Sequence, residues 1–474
     1  MQSRVANLTG RAVRTGLSKL YLVTVHNWRQ GPRTRALQRL WASQWWSLDR
    51  LQAEQWRSLQ QLLLHAYQHV PFYRKMFRGL GAEPQDVRTP DDFRRLPLLT
   101  KELIQTHPNE LRAEGGFNPA GVYLNHTGGS TGAPLSFWQD AQYRSWGMAE
   151  LDRDFRLCGY RPGQRQAFLW GSDVDSRFHQ TSRGRIHDFL HNLQWIDTFD
   201  VDVGKLRRAL QQLVVFDPHL LVGYVSSLAL MARLVHAEGL VAPRPRAIQT
   251  SAEALTQSTR EIIEGAFGAK CFDRYGCREV GNIAHECDAH RGLHLLLENN
   301  YTEFVTDDHR TADPGTTGQI VVTNLHNHVM PLIRYATGDV GTPSSRPCAC
   351  GRGLPLMESV KGRISDTIVS PSGKLLHGEF FTHLFYGLDG VRQFQVEQMT
   401  TVDLVIRIVT ESPESFESTE RQVADLISRH GDPAFRIVFQ RVTQIPPRKS
   451  GKYCFTLSHV PISFGGQSQD VMAR

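Results

Sequence analysis

Thr127-Gly128-Gly129-Ser130-Thr131-Gly132 sets three glycines among three hydroxyl side chains, with nothing bulky between them. A loop of that kind can bring backbone N–H groups up to phosphate oxygens while its hydroxyls donate further hydrogen bonds. The same residues also make ordinary turns, and the Gly-Lys-Ser/Thr ending of a Walker loop is missing. Gly121–Asn125 just ahead reads as a short strand leading into it. A second group is soft. Cys348-Ala349-Cys350 is a thiolate pair in a turn, and Cys287 is followed by His290 and His294. Thiolates with imidazole in a four-ligand set suit structural Zn²⁺, and reduced, unligated thiols are the alternative. Glu279, within Arg274–Gly281, offers the oxygen that a hard cation prefers, unless Gly276 marks a turn and the charges form a surface ion pair. Asp339, in Thr337-Gly338-Asp339, can accept from two hydroxyls at once or close a turn. Lys452, next to Gly451 in the run Pro446–Lys452, is either a mobile cation or part of a solvated basic turn.

The elements that must position these groups are bounded first by composition. A chain of 474 residues is too long for one ordinary core, so two or three domains are expected. With 40% hydrophobic and 21% charged residues the composition is globular, and no run of 18 apolar residues predicts a transmembrane helix. The net charge of +7 suits an anionic small molecule such as a nucleotide or coenzyme A. No nucleic-acid partner is expected. Arg4, Arg11, Arg14 and Lys19 precede a short apolar run, Leu20–Val25, without a small-residue cleavage site, which reads as an amphipathic helix rather than a signal peptide. That basic arm also suits peripheral contact with acidic lipids. Seven cysteines, an odd number, point to a reducing, cytoplasmic setting.

Leu51, Trp56, Leu59, Leu62, Leu63 and Ala66 fall on one helical stripe, and the tryptophans Trp41, Trp45, Trp46 and Trp56 read as packing residues. Val70-Pro71 should end that helix, and a second should stop at Gly79. Thr89-Pro90-Asp91-Asp92 reads as a helix start. From 160 to 340 apolar runs at 166–170, 220–222, 247–250, 270–272 and 318–323 alternate with helical patterns at 205–216, 227–238 and 256–267. This is α/β alternation, with ligand residues expected at strand carboxyl ends. Asp173–Asn192, rich in Arg and His, reads as water-facing or a mobile loop, although a polar substrate would also suit it. Beyond about residue 362 strands at 391–398, 404–410 and 435–440 flank a helix at 414–430, giving a small α+β module. Cys158, Cys271, Cys277 and Cys454 read as packing residues.

Five stretches occur in a familiar order: His126–Pro134, Thr250–Leu255, Arg274–Gly281, then Arg334–Gly341 with Gly362–Asp366, and Ile445–Lys452. Together they resemble the signature set of the adenylate-forming ligase superfamily. LLLHAYQHVPFYRKMF followed by LPLLTKELI resembles the phenylacetate–CoA ligase family, and VSPSGKLLHGEFFTHLFYGLDGVRQFQV a branch associated with capsular-polysaccharide genes. The resemblance covers about residues 50–460 and implies a large multi-layered α/β adenylating domain, 1–361, whose first 110 or so residues form a helical arm. A small mobile α+β domain, 362–474, would follow. It implies an AMP-forming acid–thiol ligase: ATP and a carboxylic acid give an acyl-adenylate and pyrophosphate, then coenzyme A takes the acyl group. Transfer to an amine or sugar, or a catalytically idle nucleotide-binding scaffold, are the alternatives. By resemblance Thr127–Gly132 grips the triphosphate, Ser251, Ala252 and Glu253 line the adenine pocket, Tyr275 and Gly276 sit at the adenine, and Glu279 holds Mg²⁺. Asp339 would take the ribose hydroxyls, Arg363 the ribose or α-phosphate, and Lys452 the acyl carboxylate and α-phosphate. Zinc would sit on Cys287, His294, Cys348 and Cys350, with His290 competing for the fourth place. The sequence departs from the family in lacking a lysine near Ala133, in carrying Arg278, and in having Ser365 before Asp366 at the pivot. The acid pocket is expected from the 170–275 region, including Trp170, Tyr224 and Phe272.

Overall fold

A computed structural model describes residues 14–21, 31–115, 121–126, 135–170, 173–198, 203–306, 310–363, 368–372, 375–376, 381, 384–385, 388–446 and 455–460. The loop Thr127–Gly132, Ala133, Ser365, Asp366, Lys452 and Cys454 therefore lie outside the described residues. A helix over 14–21 is followed by α1 (Gly31–Ser43), α2 (Leu48–His69), α3 (Pro71–Gly79), α4 (Pro90–Arg94) and α5 (Lys101–Thr106). Leu51, Leu59, Leu62, Leu63 and Ala66 are buried along α2, as their spacing predicts, and Pro71 forces the break between α2 and α3. α3 ends at Gly79, as expected, and the chain turns left-handed two residues later, at Gly81 (φ 61°). Thr89 caps α4 by accepting from Asp92 N–H, whose carboxylate accepts from Thr89 N–H in return. The tryptophan stripe needs correcting. Trp46 and Trp56 pack against the core, but Trp41 and Trp45 are exposed, each beneath an arginine: Arg156 over Trp41 at 5.6 Å and Arg352 over Trp45 at 4.8 Å. A planar guanidinium on a ring face holds these side chains at the surface.

The short antiparallel pair β1 (Val122–His126) and β2 (Ser136–Asp140) comes next, then α6 (Ala141–Leu157). The α/β run follows as β3 (Gln166–Trp170), α7 (Asp173–Gln180), α8 (Ser182–Leu190), β4 (Leu193–Asp197), α9 (Val203–Phe216), β5 (Leu220–Tyr224), α10 (Val225–Glu238), β6 (Ala247–Ser251), α11 (Gln257–Phe267) and β7 (Lys270–Cys277). Asp173–Asn192 is thus not a loop, because Thr181 starts a helix there by accepting from Gly184 N–H. The chain continues through β8 (Gly281–Glu286), β9 (Leu293–Leu295), β10 (Asn300–Val305), β11 (Gly318–Asn324), β12 (Tyr335–Ser344) and β13 (Leu356–Arg363).

Among the described residues β3–β13 form one eleven-stranded sheet in the order β10-β11-β12-β13-β9-β8-β7-β6-β5-β3-β4. Pairing is parallel from β4 to β7 and antiparallel from β7 to β10. β5 and β6 are buried at every residue, as strands covered on both faces must be. Their side chains alternate. Leu221 and Ile248 join the helices α9–α11, whereas Leu220, Val222 and Ala247 pack on the other side with Phe155, Cys158 and Tyr160. Gly239 and Gly268 close α10 and α11 in the left-handed conformation. The antiparallel half packs on the N-terminal helices, with Leu59, Leu62, Phe77 and Phe93 against Ile320, Val322 and Ile333.

β14 (Ile368–Val369) and β15 (Leu375–Leu376) pair with each other, and β16 (Val391–Gln398), β17 (Asp403–Thr410), β18 (Arg436–Arg441) and β19 (Thr456–Ser458) make a four-stranded sheet covered by α12 (Pro413–Leu426). The helix ends earlier than its pattern suggests, giving way to a π turn over Ile427–Gly431.

Helix α6 carries a buried ionic knot that the sequence did not announce. Arg153 pairs with Glu150 at 2.8 Å and Glu298 at 2.9 Å, and donates to the Leu40 carbonyl, tying α1 to the sheet. On the same helix Trp146 stacks on His326 at 4.0 Å. Burial holds the His326 imidazole down to about 3. An unfolded histidine protonates near pH 6.5, so below that pH the unfolded chain binds the extra proton and the folded chain does not. Stability should therefore fall as pH drops from about 6.5 toward the folded value, by about 1.4 kcal/mol per unit from this residue. Melting temperature against pH checks it: His326→Gln should flatten the slope, and a slope equal to wild type would contradict the assignment.

Candidate active site

The site is built where the parallel half of the sheet meets the antiparallel half. β6 ends at Ser251, and Ala252 follows with φ 74°, a left-handed conformation that few residues with a Cβ adopt. That kink turns Glu253 onto the start of α10, where its carboxylate accepts from Ser226 N–H at 2.6 Å and Ser226 Oγ at 2.9 Å. Arg274 of β7 donates to Ser251 Oγ at 3.1 Å, so the strand ends are cross-tied.

Tyr275, Gly276 and Cys277 continue β7, and the turn falls at 278–280 before β8. Gly276 is thus a strand residue, not the turn. A Cβ there would lie 2.5 Å from the Gly281 carbonyl oxygen across the hairpin, which explains the glycine. Tyr275 Oη donates to Asp339 Oδ2 at 2.8 Å, and Asp339 N–H donates to Thr337 Oγ1 at 3.2 Å. Burial, then the Asp339 charge, pushes the Tyr275 phenol well above its ordinary value, so it stays a donor. Asp339 on β12 lies opposite Arg363 on β13, which brings the two backbones together.

Glu279, in the turn, accepts from Tyr335 Oη at 2.9 Å. Tyr335 is buried at the start of β12, and burial followed by Glu279 drives its phenol upward. It aims the Glu279 carboxylate, a role the sequence reading missed. Its position between Arg334 and the Thr337-Gly338-Asp339 motif was the available signal. Arg334 itself is structural, pairing in the interior with Glu303 at 3.0 Å. Arg278 contributes its carbonyl, which accepts from Gln139 Nε2 at 2.9 Å and Tyr143 Oη at 3.3 Å. Those bonds anchor β2 and α6 to the Glu279 turn. β1 and β2 pair up to His126 and Ser136, and His126 Nδ1 lies 2.9 Å from Ser136 Oγ. The expected strand ahead of the glycine-rich stretch is therefore present. Two carboxylates, Glu279 and Asp339, are held by the buried Tyr335 and the half-buried Tyr275, an arrangement able to bind a hard cation and a diol.

Of the expected acid-pocket residues, the Trp170 and Tyr224 rings lie 4.6 Å apart between centroids, and Trp170 packs against the cluster in which Phe272 is buried with Leu220 and Val222. The Phe272 ring centroid is 4.8 Å from that of His290.

The soft cluster assembles beside β8 and β9. The ligand atoms of Cys287, His294, Cys348 and Cys350 all lie within 4.8 Å of one another. Cys287 Sγ and Cys348 Sγ are 3.6 Å apart, and Cys350 Sγ is 3.3 Å from His294 Nε2. Two thiolates on one tetrahedral zinc would stand about 3.8 Å apart, so the donor set fits a zinc-class ion. His294 Nδ1 sits 3.0 Å from the Leu354 carbonyl. With its proton there, the Nε2 lone pair faces the sulfurs, and burial lowers this imidazole to about 4, keeping it neutral. His290 is turned away, 3.2 Å from Glu286. Burial raises the Cys287 thiol, which a cation would reverse. Cys158 and Cys271 are buried packing residues and Cys277 packs against the core, as expected.

Comparison with known proteins follows the same lines. The CapK C-terminal domain matches residues 368–459. A phenylacetate–coenzyme A ligase of Thermus thermophilus is 26% identical over 319 residues, 65% of this chain and 69% of that one. Protein CapK of Staphylococcus aureus is 23% identical over 394 residues, covering 82% of this chain and 85% of CapK. A crystal structure of 2-hydroxyisobutyryl-CoA ligase, in the postadenylation state with R3-HIB-AMP, superposes with a TM-score of 0.68 at 20% identity, over 86% of this chain and 90% of the other, which shows a shared fold. By these relatives the chain is a homologue of the phenylacetate–coenzyme A ligases and of CapK, and it shares the fold of the 2-hydroxyisobutyryl-CoA ligase.

Proposed function

We propose that this chain is an AMP-forming acid–thiol ligase: it joins a carboxylic acid to the α-phosphate of ATP, expelling pyrophosphate, and then passes the acyl group to coenzyme A. The observation that carries the reading is the pair of tyrosine-held carboxylates, Asp339 on Tyr275 and Glu279 on Tyr335. Asp339 suits the ribose hydroxyls. Glu279 suits the Mg²⁺ that neutralises phosphate charge, which matters more in a chain without a lysine at Ala133. Ser251–Glu253, at the end of parallel strand β6, would line the adenine. The glycine-rich stretch Thr127–Gly132 would hold the phosphates, and Arg363 the ribose or α-phosphate.

We divide the chain at 361/362, with the pivot at Ser365 or Asp366, and assign Lys452 to the smaller domain as a cation delivered during adenylation. Lys452→Ala should lower adenylation about a hundredfold while a supplied acyl-adenylate still reacts with coenzyme A. Equal loss of both half-reactions would remove this assignment. The zinc-class ion fits Cys287, His294, Cys348 and Cys350, where it would tie the turn after β8 to the segment before β13.

The test is exchange of labelled pyrophosphate into ATP across aryl, alkyl, amino and sugar acids. An acid-dependent signal is expected, and its absence with every acid would leave only a nucleotide-binding scaffold. Adding coenzyme A, an amine or a sugar to the acid that responds then identifies the acceptor.

A further inference from the structure

We propose a second metal site, distinct from the thiolate cluster: His179, His187 and Asp188 form a three-ligand centre for a divalent transition cation of the zinc class, with water completing its shell. The ligand atoms of these three residues lie within 4.8 Å of one another. His179 lies in the last turn of α7 while His187 and Asp188 lie on α8, so two helices must meet closely. Gly184 permits this, because a Cβ there would fall on the Phe178 carbonyl. Thr181 locks the turn, donating to that carbonyl at 2.7 Å and accepting from Gly184 N–H at 3.0 Å.

Both imidazoles are pre-aimed. His179 lies flat on Trp195, centroids 4.0 Å apart and 10° from parallel, and His187 is stacked on His191 at 3.9 Å. Their Nδ1 atoms converge on one carboxylate oxygen, Asp188 Oδ1, at 2.8 and 3.1 Å. Two imidazoles and a carboxylate are borderline ligands suited to zinc and its neighbours. A cation entering there takes the Nδ1 lone pairs, and each neutral imidazole carries its one proton on Nε2 instead, so no proton need be released. His179 and Asp188 side chains are 12% and 14% exposed, but His187 is 40% exposed, which supplies an entry path and an open coordination position.

The experiment uses the full chain, stripped with a chelator, re-equilibrated with Zn²⁺, desalted and assayed for metal. Wild type should retain two equivalents. Cys348→Ser with Cys350→Ser should retain one, and adding Asp188→Asn should remove it; far-UV circular dichroism confirms that each variant is folded. Retention unchanged by Asp188→Asn would overturn the proposal, leaving a His–Asp–His hydrogen-bonded cluster. Co²⁺ titration of the wild type gives an answer without variants. The first equivalent should show thiolate charge transfer and the second only ligand-field bands, and saturation at one equivalent would overturn the site.

Discussion

Glu279→Gln is expected to cut acid-dependent pyrophosphate release by about a hundred- to a thousandfold while the protein stays folded. Glutamine keeps the shape and can still accept from Tyr335 Oη, so what is lost is the negative charge that would hold Mg²⁺ against the phosphates. Tyr335→Phe separates charge from aim. It leaves the carboxylate but frees it from its 2.9 Å partner, and should cost about tenfold. That loss should appear mainly as a higher Mg²⁺ requirement, not a weaker KM for the acid. Steady-state pyrophosphate release across a Mg²⁺ series measures both. A Glu279→Gln enzyme indistinguishable from wild type at every Mg²⁺ concentration would take this residue out of the reaction.

The second large effect is on stability. Cys350→Ser should release one equivalent of zinc and destabilise the fold by several kcal/mol, because ligand binding absent from the unfolded chain adds directly to folding. The cluster joins residues far apart in sequence: His294 Nε2 faces Cys350 Sγ across 56 positions, and Cys287 faces Cys348 across 61. Losing the cation should therefore loosen β9 and β13 together. Metal analysis with a thermal melt, with and without chelator, decides it. A wild-type protein free of zinc, whose melting is untouched by chelator, would leave four reduced thiol and imidazole groups packed without an ion.

Much of the parallel half was legible because it is locally determined. Thr256 caps α11, Gly268 closes it, and the apolar runs between helices are strands buried on both faces. The antiparallel half was harder. Strands such as β8, β10 and β12 mix buried and half-exposed residues without clean alternation, and long-range pairing sets their limits. A turn at Gly276 was the alternative reading, because glycine usually signals one, but the chain uses it for close approach between two strands. Trp41 and Trp45 read only as packing residues, and their arginine partners, more than a hundred residues away, could not be seen from local spacing. The same holds for Tyr335, whose bond to Glu279 spans 56 positions. His179, His187 and Asp188 read as a solvated stretch because their order depends on one tight crossing at Gly184.

Strand β7 belongs to both halves of the sheet, parallel to β6 along one edge and antiparallel to β8 along the other. A chain cut short by proteolysis or stalled synthesis just before β8 would still contain every parallel strand of the eleven-stranded sheet and its helices. It would lack the pairing that sets the Glu279 turn, the tyrosine that aims it and the carboxylate that Tyr275 holds. Such a fragment could bury a respectable core and escape quality control while being chemically empty. Integrity of the antiparallel half, not solubility, is the property that a preparation of this protein must be checked for.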